Sequence, residues 1–226
     1  MTGLSWRVVR RRSDAAAFHR APIPEPATPE IWVHDVTRPA LVLGSTQRGD
    51  GIADVAACER AGVDIVRRRS GGGAVLLVPA QVVWVDVILP AGHLGWSNDI
   101  HRPMMWLGER MAAAFAAAGV AGTSVHRGAL VQSDHSRLIC FDGLGPGELT
   151  LDGAKLVGIS QRRTRDVARL QCCWYTSYEP GELTALLVDP PDLALLNPVA
   201  TVSSSTGRAV VDCLAEELNG SSSSAP

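Results

Sequence analysis

Lysine is almost missing from this 226-residue chain: Lys155 stands alone against twenty arginines. An arginine-heavy basic set beside twenty-nine alanines is what a GC-rich coding bias produces, and a lysine that survives such a bias marks a position worth reading. Lysine is a compact ammonium on a slim stem, whereas arginine is a broad planar fork. A site that needs a point charge beside one oxygen therefore resists the exchange. A charge excess of either sign is missing too. The net charge of −2 lacks the basic surplus of a general nucleic-acid binder, so no nucleic-acid partner is expected. No apolar run reaches the roughly 18 residues that span a bilayer, so no membrane partner is expected either. The opening MTGLSWRVVRRR has charge without a following apolar stretch and does not read as a signal peptide. The five cysteines are odd in number and include no CxxC pair, which gives neither a disulfide scaffold nor a zinc pattern. Cys58, Cys172, Cys173 and Cys213 read as structural, and no metal site is expected from the side chains. The expectation is a cytoplasmic globular protein with length enough for one real core.

What is present alternates between strand-like and helix-like segments. Residues 31–36 (IWVHDV) and 39–45 (PALVLGS) read as paired strands with Arg38-Pro39 in the turn. Asp50 or Asp54 would cap a short helix ending near Ala61. Residues 64–69 run as a strand into three glycines, and residues 74–78 and 82–89 are dense in β-branched residues. Apolar spacing predicts a long helix over 103–118, closed by Gly119. Residues 136–141 (SRLICF) read as a buried strand. Asp152-Gly153 is the strongest hairpin signal in the chain, a further strand covers 167–175, and helices are expected over 182–188 and 209–218. Mixed strands with several helices give an α+β fold, assigned as one catalytic-type domain over 1–218 with a low-complexity disordered tail over 219–226.

Two constellations could carry chemistry. Arg67-Arg68-Arg69-Ser70-Gly71-Gly72-Gly73-Ala74-Val75 sets three glycines after a strand, so backbone amides could approach a ligand closely while arginines pair with anionic oxygens. A glycine-rich turn with a solvated basic strand end reads the same residues equally well. The second is Asp152-Gly153-Ala154-Lys155-Leu156-Val157-Gly158-Ile159-Ser160-Gln161-Arg162-Arg163. Regular strand alternation would put Lys155, Val157 and Ile159 on one face. On a buried face the ammonium would need a partner; on an open face it is an ordinary edge charge.

RRRSGGGAV followed by DGAKLVGISQRR, with IWVHDVTRPALVLGSTQ upstream ending in Gln47, strongly resembles the lipoate–protein ligase A family of the biotin/lipoate ligase superfamily. The resemblance implies a mixed β-sheet flanked by helices. It implies that Arg68, Arg69, Ser70, Gly71, Gly72, Gly73 and Ala74 form the loop over the acyl chain and adenylate. Lys155, with Gly158 and Ser160, falls on the family's lysine motif, and that lysine contacts the acyl carbonyl and the adenylate phosphate. One compact ammonium can stabilise an oxyanion where a guanidinium would fit poorly.

Cys140 opens a second route. Cys140-Phe141-Asp142 followed by Glu148-Leu149 resembles the nucleophile segment of the superfamily's cysteine-dependent octanoyltransferases, with Leu144-Gly145 in place of a Pro-Ser pair. A thiolate is a natural acyl acceptor, while a cysteine in LICF also reads as a small buried apolar residue. The ligase histidine after GGGAV is replaced by Leu76-Leu77-Val78, and His126 is a candidate pocket residue. The leading expectation is a ligase that activates lipoate or octanoate with ATP and magnesium. Its acceptor would be the lysine of a lipoyl domain or a glycine cleavage H-type protein, and the family's accessory domain would be absent or supplied separately. The alternatives are octanoyl or lipoyl transfer through Cys140 from an acyl carrier protein or a lipoylated protein with no cofactor, and a non-catalytic acyl- or adenylate-binding relative.

Overall fold

Alternation along the central strands decides which side chains face which layer. A computed structural model describes residues 5–47 and 51–220; the Asp50 cap and most of the proposed tail lie outside them. In chain order the elements are β1 (Arg7–Ser13), α1 (Ala15–Arg20), β2 (Glu30–Val36), β3 (Ala40–Leu43), α2 (Val55–Ala61), β4 (Asp64–Arg67), β5 (Val75–Leu77) and β6 (Val82–Pro90). They continue with α3 (His101–Ala117), β7 (Thr123–Val125), β8 (Leu149–Leu151), β9 (Ala154–Arg163), β10 (Val167–Tyr175), α4 (Pro180–Thr184) and α5 (Ser204–Gly220).

Seven strands form one mixed sheet in the order β1-β2-β6-β10-β9-β8-β7, and three form a second in the order β4-β3-β5. Val85, Val87 and Leu89 of β6 and Leu170, Cys172 and Trp174 of β10 pack against α3 and α5 through Met111, Phe115, Val210 and Leu214. The opposite face presents Trp84 and Tyr175 to Val42, Val66, Val75 and Leu77 of the small sheet and to Phe18 of α1. Behind the small sheet, Leu41, Leu43 and Leu76 meet Cys58 of α2 and Leu183 of α4. The result is a mixed sheet flanked by helices, with a space for a ligand between its second face and the small sheet.

Several sequence expectations are corrected. Residues 31–36 and 39–45 both supply strands, but β2 and β3 belong to different sheets and do not pair. Burial on both sides sends each to its own layer. Residues 136–141 form no strand: a single bridge joins Ile139 to Ala74, and Cys140–Asp142 is one tight helical turn. The helix expected over 182–188 is the shorter α4, started by Pro180. α5 begins in the serine run and extends to Gly220, where Asn219 accepts the amide of Trp6 at 2.8 Å. Asp54 caps α2 by accepting from the Ala57 amide at 2.9 Å. Asp152 and Gly153 both take positive φ, 51° and 84°, as the tight β8–β9 turn requires. Among the described residues no helix is long and apolar enough to cross a membrane.

Candidate active site

The glycine loop is held from inside. Arg68 is buried, and its guanidinium donates to the carbonyls of Gly71 at 2.9 Å and Gly73 at 2.8 Å. A side chain expected to offer its fork to an anion instead binds the loop's own backbone. Arg69 is exposed. Burial, Arg69 and Arg169 together push the Arg162 pKa down. Ser70 is buried, with its hydroxyl 3.0 Å from that of Ser160 and 3.3 Å from Gln171 Oε1. A Cβ on Gly73 would stand 2.7 Å from the backbone nitrogen of Cys140, and one on Gly44 1.8 Å from the Gly72 carbonyl oxygen. Both glycines are needed for close approach. The Ala74 amide donates to Leu138 at 2.7 Å, and the Cys140 amide donates to Ala74 at 3.0 Å. Gln47 ties the same parts together: its Oε1 accepts the Gly44 amide at 2.9 Å, and its Nε2 donates to Leu138 at 3.0 Å.

Lys155 reaches this place through a slip in register. Leu149 faces Val157 while Thr150 faces Lys155, which leaves Leu156 as the extra residue on β9. Lys155 therefore departs from the face of Val157 expected from simple alternation and joins Gly158. A Cβ on Gly158 would meet Lys155 Cε at 3.6 Å and the Phe141 ring at 3.2 Å. The ammonium is buried and fully engaged. It donates to Cys140 O at 3.1 Å and Gly143 O at 2.9 Å, and lies 2.6 Å from Glu148 Oε2. Burial opposes its charge, but Glu148, with Cys140 and Cys173, more than offsets that and the pKa is raised. Glu148 is buried as well and accepts the amides of Gly145 and Ile159.

Cys140 is half-buried and borders two spaces. On one side a narrow pocket runs between the sheets, with Gly158, Cys173 and Trp84 beneath it, Val42, Val75 and Leu77 above it and His19 beside it. On the other side a cleft of about 1070 Å³ opens, walled by Gly71–Gly73, Lys155, Arg163, Met104 and Leu130. The Cys140 turn is anchored by Asp142, whose Oδ1 accepts the Asn197 amide at 2.7 Å and whose carbonyl accepts Asn197 Nδ2 at 2.9 Å. Burial and the nearby Cys140 push the Cys173 thiol up to about 12, so it remains a protonated wall residue. An electrophilic carbonyl at Cys140 Sγ could extend its chain into the pocket and present its far side to the cleft.

The structure gathers Lys155, Cys140, Ser70, Gly71 to Gly73, Ala74, Gly158 and Ser160 around this junction and leaves Arg69 exposed at the edge of the loop. His126 borders neither space; its Nε2 lies 2.7 Å from the Ala129 carbonyl oxygen, a local loop contact. Sequence reasoning missed Glu148 as the lysine's partner, and missed Gln171 and His19. A pairing argument could have found Glu148, since a buried lysine needs an anion. Nothing local marks His19, which arrives from the other end of the chain.

Residues 16–224 match the family model described as the lipoyl protein ligase A/B catalytic domain. The octanoyltransferase LipM of Carboxydothermus hydrogenoformans is 30% identical over 138 residues, 61% of this chain and 49% of that protein. The octanoyltransferase LipM of an Exiguobacterium species is 30% identical over 179 residues, 72% of this chain and 63% of that protein. The chain thus spans about half to just under two thirds of the length of these relatives. A crystal structure of lipoate-protein ligase A bound with ATP shares the fold at a TM-score of 0.70 and 15% identity, covering 95% of this chain and 86% of that one.

Proposed function

From its membership of the lipoyl protein ligase A/B catalytic domain family, to which this chain belongs, we propose that it is an acyltransferase that carries a medium-chain acyl group as a thioester on Cys140. The observation that carries this reading is the placement of Cys140 at the junction of an apolar pocket and an open cleft, with the Lys155 ammonium on its carbonyl at 3.1 Å. The names of the LipM relatives support it. The ligase expectation is less well supported. A phosphate would meet an Arg68 already bonded within its own loop. ATP and magnesium therefore take no part in the proposed reaction.

The Cys140 sulfur attacks the carbonyl of an acyl thioester on a carrier such as acyl carrier protein. A new sulfur–carbon bond forms, the carrier's breaks, and the carrier thiol leaves with the proton that Cys140 gave up. The acceptor, a lysine amine of a lipoyl domain or H-type protein, then attacks from the cleft. An amide bond forms, the Cys140 sulfur–carbon bond breaks, and the amine's proton returns to sulfur. Lys155 places a fixed positive charge beside the negative charge that develops on sulfur and acyl oxygen in each step. Glu148 keeps that lysine charged and immobile, so it acts as a positioning residue.

The test pairs two assays. Acyl transfer from octanoyl-carrier protein to a lipoyl domain is expected without ATP, and lipoate-dependent ATP–pyrophosphate exchange is expected to be absent. Exchange activity without transfer would replace this reading with the ligase.

A further inference from the structure

The pocket that starts at Cys140 is not apolar at its other end. Its floor crosses the sheet from Gly158 and Ser160 on β9 to Cys173 and Gln171 on β10 and then to Trp84 on β6. That is two inter-strand spacings, on the order of 10 Å, about the reach of an extended eight-carbon chain. There His19 of α1 lies on the Trp84 ring at 4.7 Å between centroids. His19 is 8% exposed, and its Nε2 is buried without a hydrogen-bond partner among the described residues. The orientation assigned to the Gln171 amide sets the His19 tautomer. The Ser70 hydroxyl donates to Gln171 Oε1 at 3.3 Å, which turns the Gln171 amide nitrogen towards His19 Nδ1 at 3.5 Å. Nδ1 is then the acceptor, and Nε2 carries the proton. Burial pushes the His19 pKa down to about 3, so the ring stays neutral.

The ring is also held in place. Arg169 donates to Phe18 O at 2.8 Å and Ala21 O at 3.2 Å, fixing the end of α1, while its Nε binds Asp86 at 2.7 Å. A rigid, neutral, buried N–H at the end of a pocket favours a ligand that brings an acceptor.

We infer that this end of the pocket is a hydrogen-bonding subsite, so that the enzyme favours medium-chain acyl groups bearing an acceptor near the far end over plain alkyl chains. The acceptor is an oxygen or a dithiolane sulfur. The inference rests on the thioester reading above and adds the substrate class. His19 would be its specificity-determining residue.

The experiment measures the rate of Cys140 acylation by intact mass with octanoyl, ω-hydroxyoctanoyl and lipoyl thioesters of one carrier. The native protein is expected to favour ω-hydroxyoctanoyl or lipoyl over octanoyl on the order of tenfold or more, as one added hydrogen bond allows. A preference confined to the hydroxyl identifies an oxygen site, and one confined to lipoyl a sulfur site. His19→Phe is expected to bring the rates to parity. Octanoyl acylation as fast as both others in the native protein overturns the inference, whatever the variant does. If no thioester acylates Cys140, the thioester reading itself falls. The subsite is then judged by thermal shifts with the free acids: equal shifts from octanoic and ω-hydroxyoctanoic acid overturn it, and a larger shift with the hydroxy acid that is lost in His19→Phe upholds it.

Discussion

Lys155 and Glu148 form a buried ion pair of 2.6 Å on the strand turn beside Cys140. The pair does two jobs: it lets the only lysine of the chain stay charged in the interior, and it locks the loop after Cys140 through the Gly145 and Ile159 amides.

Breaking the pair from either side should be costly. Glu148→Gln leaves an uncompensated buried ammonium and is expected to lower stability by about 3–5 kcal/mol in urea unfolding. Lys155→Arg keeps the charge but forces a larger fork into the space against Phe141, and is expected to abolish transfer while the far-UV spectrum stays native. A fully active Lys155→Arg protein would remove the point-charge role.

The contact between the glycine loop and the nucleophile's backbone gives a sharper steric prediction. Gly73→Ala places a methyl 2.7 Å from the Cys140 nitrogen and must move the loop or the Cys140 turn. A loss of about 1–3 kcal/mol in stability, with a fall in transfer rate, is expected. Gly71→Ala meets nothing within 4 Å and should be tolerated. Equal behaviour of the two would show that the loop does not lie against Cys140.

Acid should destabilise the fold through His19. Its folded pKa of about 3 lies below the 6.5 of the unfolded chain. Between those values the unfolded state binds a proton that the folded state refuses. The stability is therefore fully present above pH 6.5 and falls as pH drops towards 3, with a slope approaching ~1.4 kcal/mol per pH unit. Asp86 is held at about 2 by His34 and Arg169 against its burial, so its own loss begins only below about pH 4. Urea unfolding between pH 4 and 6.5 reads His19 together with His93, whose pKa burial also lowers, and His19→Phe should reduce the slope there. An unchanged slope in that variant would contradict a neutral, buried His19.

The architecture was largely legible because its signals are local. The Asp152-Gly153 turn, the helical spacing before Gly119 and the β-branched run of β6 each fix an element within a few residues. Pairing across layers was not legible, since β2 and β3 look like a hairpin until burial on both faces divides them between two sheets. At the site, the glycine loop and Lys155 were visible as motifs, but the face that Lys155 occupies depends on the Leu156 register slip, which alternation cannot foresee. Glu148 and His19 come from a loop and a distant helix. Only the fold brings them to the lysine and to the pocket's end.

The central claim is the acyl thioester on Cys140, and intact mass analysis of the protein incubated with octanoyl-carrier protein in the absence of ATP tests it most directly. The account predicts a mass gain of one octanoyl group that hydroxylamine removes, that a lipoyl domain discharges, and that Cys140→Ser lacks. No adduct with octanoyl-carrier protein in excess, or an adduct that persists in Cys140→Ser, would contradict it.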